Sequence, residues 1–533
     1  MSNPRRDPWR EGIAAGWQHT DASTLAEDLA ITTDVVIIGS GAGGSVSAEI
    51  LTNAGLQVLI LEEGPLASTF DFNMREAEAY PQLYQETAGR KTVDKAINIL
   101  QGRCVGGSTT LNWTSSFRTP KPTLDFWQDR FGLKELTEAA MAPWFAKMEA
   151  RLGIAPSALA PNANNAVLLR GAEKLGIETR AIPRNVKDCW NLGYCGMGCP
   201  TNAKQSMLVT TLPAAMAKGA RLITRLRVRR LDWSGKQVTG VVGAALKADG
   251  IHESGVQVVI KARHVVLAGG AINSPALLLR SQTPDPHTRI GKRTFLHPTF
   301  GSAAVFKEDI RGFEGAPQTV YSDHFMHQNP VDGPLGYKLE TPSIHPVLFA
   351  TTLFGFGENH AALMREFPHV HAMLALMRDG FHAQSEGGVV RLRDDGSPQL
   401  DYPLNDVIWE AARRALASMA EIQFAAGAKR VVPVHESLTT FRSWDEAKRG
   451  LPALELAPLV CRVVSAHVMG GCSMADAPEG GVVDVNGRHF QLENFSILDG
   501  SIFPTSIGAN PQLSIYGLVA RNASGLAELL RRA

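Results

Sequence analysis

Gly39, Gly41 and Gly44 stand in the GxGxxG register directly behind the apolar run 35–38. Glycines so spaced let a strand turn sharply into a helix, bring main chain close to a pyrophosphate and seat helix on strand. The helix N-terminus then offers unpaired N–H groups to anionic oxygens. A second apolar run, 58–61, ends in Glu62. A carboxylate about 20 residues beyond the glycines can accept hydrogen bonds from ribose hydroxyls and would repel a 2′-phosphate. The pattern reads as a dinucleotide site and leaves FAD and NAD both open. Cys189, Cys195 and Cys199 invite a metal or cluster reading. No second close pair and no neighbouring histidine completes a zinc set, so a packed Gly/Cys loop with no metal is expected. His467, taken alone, is more often a hydrogen-bonded structural histidine than a base.

The elements that must position these residues follow from patterning. Segments 220–231, 238–246 and 256–260 carry β-branched and apolar residues with turn signals such as Ser234-Gly235 between them, which predicts an antiparallel meander. The segment 264–279 closes it and predicts a helix capped by Ser274 with Pro275 in its first turn. Leu136, Ala140, Trp144 and Met148 have helical spacing. A further helix is expected from Asn405 to Gly427, with Ile408, Ala411, Ala415, Met419 and Ile422 on one face.

At 533 residues, with 44% hydrophobic and 20% charged, the chain outgrows one compact core and predicts at least two domains. A net charge of +1 gives no global field for nucleic acid, so small molecules are the expected partners. Six cysteines in a chain this long suggest no disulfide framework and fit a reducing compartment, by default the cytoplasm. Arg5-Arg6 has no apolar stretch behind it, so no secretory or twin-arginine signal is supported. No run of 18 apolar residues predicts a membrane span, which leaves peripheral membrane contact open.

Four segments together resemble the glucose-methanol-choline (GMC) family of FAD-dependent oxidoreductases. The first is the opening glycine motif. The second is the stretch 101–113, with Gly106, Gly107, Ser108 and Asn112 matching G-[KR]-x-[LV]-G-G-S-[ST]-x-x-N. The third is the segment 264–279, with Ala268 at the turn, and the fourth is the ending Ser465-Ala-His467-Val-Met-Gly-Gly-Cys472-Ser-Met474, Asp499, Asn510-Pro511. The cysteine loop followed by Ala203-Lys204 is similar to the long-chain alcohol oxidase and cholesterol oxidase-like branches.

The resemblance implies an α/β fold: a Rossmann-like FAD-binding domain and an α+β substrate domain built on an antiparallel sheet flanked by helices. It divides the chain into an arm (1–30), FAD-binding parts (31–119, 186–299, 461–533), a helical cover (120–185) and a substrate domain (300–460). Its site residues would be Gly39, Gly41, Gly44, Glu62, Gly106, Gly107, Ser108, Asn112, Val228, Ala268, Asp499, Asn510 and Pro511 around FAD, with His467 and Asn510 as the catalytic pair. Leu111 stands where some members carry a flavin-linking histidine, so FAD is expected to bind non-covalently. The implied reaction is oxidation of an alcohol, with His467 as base near pH 7 and hydride transfer to flavin N5. Apolar residues such as Phe354, Phe356, Leu363 and Leu374 lean the substrate toward an aliphatic, aromatic or sterol-like alcohol. Electrons would pass to O2, a quinone or a redox protein. A GMC-like lyase and a flavin-binding protein without turnover are the competing readings.

Overall fold

The structure, a computed structural model, describes residues 6–157 and 159–532. Arg5 of the Arg5-Arg6 pair and the rest of segment 1–5 lie outside the described residues. Two eight-stranded sheets organise the chain. In the first, Leu29–Ile38 pairs in parallel with Val58–Leu61, which pairs in parallel with Arg221–Thr224. The 15-residue strand Glu253–Leu267 serves two purposes. Its first half pairs antiparallel with Gln237–Leu246, and its second half lies parallel to both Leu29–Ile38 and Phe495–Ile497. Val35, Val36 and Ile37 have no solvent exposure, as expected where helices cover both faces of a parallel sheet.

The predicted meander is therefore shorter than the patterning implied. Leu226–Ser234, Gln237–Leu246 and the first half of Glu253–Leu267 form it, whereas Arg221–Thr224 belongs to the parallel sheet. Residues 6–30 are no loose arm. Asp7 caps the helix Pro8–Ala14, the buried Trp9 donates its indole N–H to the Leu208 carbonyl at 2.7 Å, and Gln18–Asp21 forms an edge strand on Arg221–Thr224.

The second sheet runs in the order Ile97–Ile99, Val463–Ser465, Thr299–Val305, Val370–Met377, Tyr337–Glu340, Val320–Ser322, Arg180–Ala181, with Arg430–Pro433 also pairing on Thr299–Val305. Helix Asp406–Ala425 covers it. Asn405 caps that helix by accepting the Ile408 N–H, and the expected apolar face is the buried one. The segment 120–185 divides between two cores. Lys121–Phe131 and Glu138–Leu152 pack on the side of the first sheet, while Ala163–Lys174 packs on Asp406–Ala425 in the core of the second.

Two sequence expectations are corrected. Helix Glu138–Leu152 buries Met141, Phe145, Met148 and Leu152, leaving Ala140 exposed and Trp144 half-buried. The true stripe is displaced by one residue because Thr137 caps the helix and leaves Leu136 outside it. Helix Gly270–Arg280 begins before Ser274, and Pro275 lies inside it. Ser274 still satisfies the helix end by reaching backward: its Oγ accepts the Gly269 N–H at 3.0 Å. Among the described residues no helix is long and apolar enough to cross a membrane.

The corrected face makes a prediction. Phe145 packs so closely on the C-terminal helix Gln512–Arg532 that a Cβ on Gly517 would fall 2.4 Å from its ring. Phe145→Ala should cost about 3–5 kcal/mol and Ala140→Ser less than about 0.5 kcal/mol in denaturant unfolding. Equal costs would place the stripe wrongly.

Candidate active site

A cavity of about 1370 Å³ lies between the two sheets, larger than the roughly 300–1,000 Å³ of an ordinary small-molecule pocket. Its long wall is main chain. Gly39, with φ of +102°, ends Leu29–Ile38, and a Cβ there would lie 2.3 Å from the Ala268 carbonyl oxygen. Gly41 heads helix Ala42–Asn53 with no side-chain cap, so that helix's first N–H groups stay free beside the cavity. A Cβ on Gly107 would come within 2.8 Å of the Gly41 Cα, so two glycine turns touch across the wall. Ala268 lines the same trench at the end of Glu253–Leu267.

Other expected residues frame this trench. Ser108 lines it and its Oγ accepts the Gly102 N–H at 2.9 Å. Asn112 lines it too, with its amide donating to the Gln512 side chain at 2.7 Å. Val228 lines the wall from strand Leu226–Ser234, and Pro511 lines it just ahead of helix Gln512–Arg532. Asp499 lines it while tying two segments: Oδ2 accepts from the Gly270 N–H and the Ser274 hydroxyl at the start of helix Gly270–Arg280, each at 2.7 Å, and Oδ1 from the Ser501 N–H at 2.8 Å.

Glu62 reaches the cavity with its oxygens already engaged. Oε2 accepts from Ser40 N–H at 3.1 Å and Ser40 Oγ at 2.5 Å, and Oε1 from Gly64 N–H at 2.9 Å. Burial pushes its carboxyl above the usual range against these bonds. Gly44 and Gly106 stand behind the wall. A Cβ on Gly44 would lie 1.9 Å from the Gly39 carbonyl oxygen, so it seats helix on strand, while the Gly106 N–H donates to Ser40 Oγ at 3.1 Å. Leu111 is buried against the cavity.

His467 and Asn510 meet at the cavity's other end. His467 follows strand Val463–Ser465 and is half-buried, with Nδ1 lying 3.3 Å from Nδ1 of His297. Burial, then the nearby Lys338 ammonium, press its pKa down to about 3. The ring is therefore neutral at the pH near 7 at which the base was expected to act. Asn510 donates its amide N–H to Glu340 Oε2 at 3.2 Å, and its Oδ1 has no partner among the described residues.

Three residues here were not foreseen. Glu340 and Lys338 sit two apart on strand Tyr337–Glu340, buried on both faces. Glu340 Oε2 also accepts from Gln318 at 2.6 Å, and the Lys338 ammonium lies 3.7 Å from Oε1 and 3.1 Å from the Phe117 ring centroid. Burial pushes the Lys338 pKa down and that of Glu340 up. His297 is the third, and burial pushes it well below the ordinary histidine value. The Lys-x-Glu spacing was the one available signal, and it resembles the solvent face of an ordinary strand.

Sheet register places Lys338 opposite Leu376 and Glu340 opposite Leu374, with Thr299 pairing both Leu376 and Val464. Leu374, Leu376, Thr299 and Val464 line the cavity, joined by Leu348 and His345. Of the apolar residues singled out in sequence, Leu374 is on this wall and Phe356 is 92% exposed, while the neighbouring Met373 and Met377 are core. The cysteine loop adds Gly196, whose carbonyl accepts the Tyr84 hydroxyl at 2.6 Å. Cys195 offers its carbonyl to the buried Lys204 ammonium at 2.7 Å.

Models of the N-terminal and C-terminal parts of GMC oxidoreductases match residues 80–299 and 383–518. An uncharacterised GMC-type oxidoreductase of Sinorhizobium fredii is 30% identical over 94% of this chain and 95% of its own length. A long-chain-alcohol oxidase of Arabidopsis thaliana is 27% identical over 97% of this chain and 71% of its own. Among solved structures, pyridoxine 4-oxidase from Mesorbium loti superposes with a TM-score of 0.68 at 18% identity, covering 92% of this chain and 99% of that one. An Aspergillus oryzae formate oxidase variant does so with 0.69 at 16%, covering 95% and 100%.

The touching turns can be tested. Gly107 has φ of +54° and Gly55 has φ of +87°, but nothing lies within 4 Å of a Cβ added at Gly55. Both alanine variants carry a backbone cost of roughly 1–2 kcal/mol, and only Gly107→Ala adds the clash. Gly107→Ala should purify with most of its dinucleotide lost and Gly55→Ala with its dinucleotide retained, read as the absorbance ratio of cofactor to protein. Equal cofactor content would dismiss the clash.

Proposed function

This chain belongs to the GMC oxidoreductase family, and from that premise we propose that it binds FAD non-covalently and oxidises a hydrophobic alcohol to the aldehyde or ketone, with His467 as base. The observation that carries the reading is a single cavity with a glycine-lined trench at one end and a neutral histidine beside an asparagine at the other. The trench fits FAD because side chains are absent where a pyrophosphate needs main chain. The Gly39–Gly41 turn, Gly107 and Ala268 would hold the dinucleotide, with Glu62 and Val228 toward its nucleoside end. The start of helix Gln512–Arg532 would face the flavin. When bound, FAD supplies the hydride acceptor.

The chain's own groups supply the rest. Asn510 hydrogen-bonds the hydroxyl and orients it, its amide being anchored by Glu340. His467 takes the hydroxyl proton. Leu348, Leu374, Leu376 and Val464 exclude water and suit an apolar carbon chain. The likeness to long-chain-alcohol oxidases supports that substrate class. Electrons then leave to O2, a quinone or a redox protein, which re-oxidation of the reduced enzyme by each acceptor would distinguish.

Anaerobic stopped-flow flavin reduction by an alcohol the enzyme turns over tests the assignment. His467→Ala should retain FAD and slow reduction on the order of 10²–10⁴-fold, and Asn510→Ala should slow it less. Reduction near the wild-type rate in flavin-loaded His467→Ala would remove the base from that residue.

The pH dependence has a definite sign. A histidine with its pKa lowered to about 3 is neutral throughout the neutral range, so reduction should be flat there and fall only on the acid side. An acid limb near the ordinary histidine pKa would contradict this.

Leu111 bears no group that can bond to a flavin, so acid precipitation should release free yellow flavin into the supernatant. Flavin retained in the protein pellet would show a covalent link elsewhere.

A further inference from the structure

Two ring nitrogens that face one another share a hydrogen bond only if one of them carries hydrogen. His297 Nδ1 and His467 Nδ1 face each other at 3.3 Å. The choice between them is made on the far side of His297, where the Gly508 main-chain N–H donates to Nε2 at 3.2 Å. A neutral imidazole has one N–H and one lone pair. With Nε2 accepting, His297 must carry its hydrogen on Nδ1 and donate it to His467. His467 must then carry its own hydrogen on Nε2. That nitrogen has no partner among the described residues and is not sealed from solvent, so it opens to the cavity that His467 lines.

His297 is built into this place. It is buried, and it holds φ of +46°, a left-handed conformation uncommon for a side chain branched beyond Cβ. The buried Asp379 carboxylate accepts both the Leu296 and His297 N–H groups, at 3.0 and 3.2 Å, and the Tyr402 hydroxyl at 2.7 Å. The charged groups around the pair are the Lys338 ammonium, whose field lowers the basicity of both rings, the Asp379 carboxylate on the His297 main chain, and Glu340 bonded to Asn510. Gly508 is two residues from Asn510, so the order of hydrogens reaches the substrate end by the same turn.

We propose that His297 is a positioning residue that fixes the ring and the tautomer of His467, so that His467 first meets the substrate hydroxyl as an N–H donor. This rests on His467 being the residue that handles the hydroxyl proton. While the bond to His297 stands, the His467 lone pair points away from the cavity. Proton uptake therefore requires that bond to open and the ring to turn its Nδ1 lone pair toward the cavity, where the hydroxyl O–H breaks as the new N–H forms and leaves His467 as imidazolium.

The test is the ring ¹⁵N spectrum of the FAD-loaded enzyme at neutral pH without substrate, with His467 identified by its loss in His467→Gln. In the wild type, His467 Nδ1 should resonate as an unprotonated nitrogen and Nε2 as a protonated one, with that tautomer favoured about tenfold or more, the effect of one hydrogen bond. His297→Phe should bring the two tautomers to within about threefold, and His297→Gln, whose amide can still donate, should restore the single form. Hydrogen on Nδ1 of His467 in the wild type, or a ratio unmoved in His297→Phe, would overturn the proposal. Because the spectrum is read without substrate, it decides the tautomer even where no alcohol reduces the flavin, an outcome that would count against the proposed reaction alone.

Discussion

Main chain pressed against main chain is the constraint on which the rest depends. At Gly39–Gly41, Gly107 and Ala268 the backbones of three turns approach so closely that a Cβ on Gly39 or Gly107 would collide with its neighbour, while one on Gly41 would project into the trench itself. The consequence is a trench walled there by main chain, onto which the free first N–H groups of helix Ala42–Asn53 open, which is what an anionic dinucleotide needs. Asp499 holds the Gly269–Gly270 turn to the segment that follows Phe495–Ile497. It arrives on Phe495–Ile497, parallel to the end of Glu253–Leu267, and accepts from Gly270, Ser274 and Ser501. Because these strands are parallel, their carboxyl ends finish together, and the trench opens there as expected for an open α/β sheet.

The opposite end of the cavity is governed by burial of ionisable groups. Lys338 and Glu340 are almost without solvent exposure, and such a pair is costly to desolvate unless its remaining hydrogen-bonding capacity is met. The chain meets most of it: Gln318 and Asn510 donate to Glu340, while the faces of Phe117 and Tyr321 meet the Lys338 ammonium. A fixed positive charge beneath the wall then disfavours a second one, which keeps His467 and His297 neutral. The His467 imidazole therefore owes its neutrality to burial first and to this ammonium second.

Legibility followed the range of the interaction. GxGxxG, the Gly106-Gly107-Ser108 turn and the His467 and Asn510 segments were readable because each is a local backbone or side-chain demand written in consecutive residues. The Asn405 cap and apolar face of the helix behind it were readable for the same reason. Lys338 and Glu340 were hidden because alternation on Tyr337–Glu340 mimics a half-exposed strand. Only the register with Val370–Met377 shows both faces buried. His297 was hidden because its meaning lies in Gly508 and His467, both far along the chain. The one-residue displacement of the Met141–Phe145 stripe and the backward reach of Ser274 show the ordinary limit: spacing identifies a helix, while its phase and first residue depend on the cap.

The reacting end is carried by a different sheet from the trench, so something must fix one against the other. His467 hangs from Val463–Ser465, which pairs with Ile97–Ile99 on one side and Thr299–Val305 on the other. Asn510 instead precedes helix Gln512–Arg532, which packs on the dinucleotide helix Ala42–Asn53 and on Glu138–Leu152. The two members of the pair are thus referenced to different bodies: His467 to the second sheet, Asn510 to the glycine trench. The link between them is polar, with Glu340 on the second sheet accepting from Asn510 and His297 joining Gly508 to His467. Hydrogen bonds have narrow distance and angle limits, so these few set the relation between the His467–Asn510 end of the cavity and the glycine trench more narrowly than apolar packing of the two bodies could.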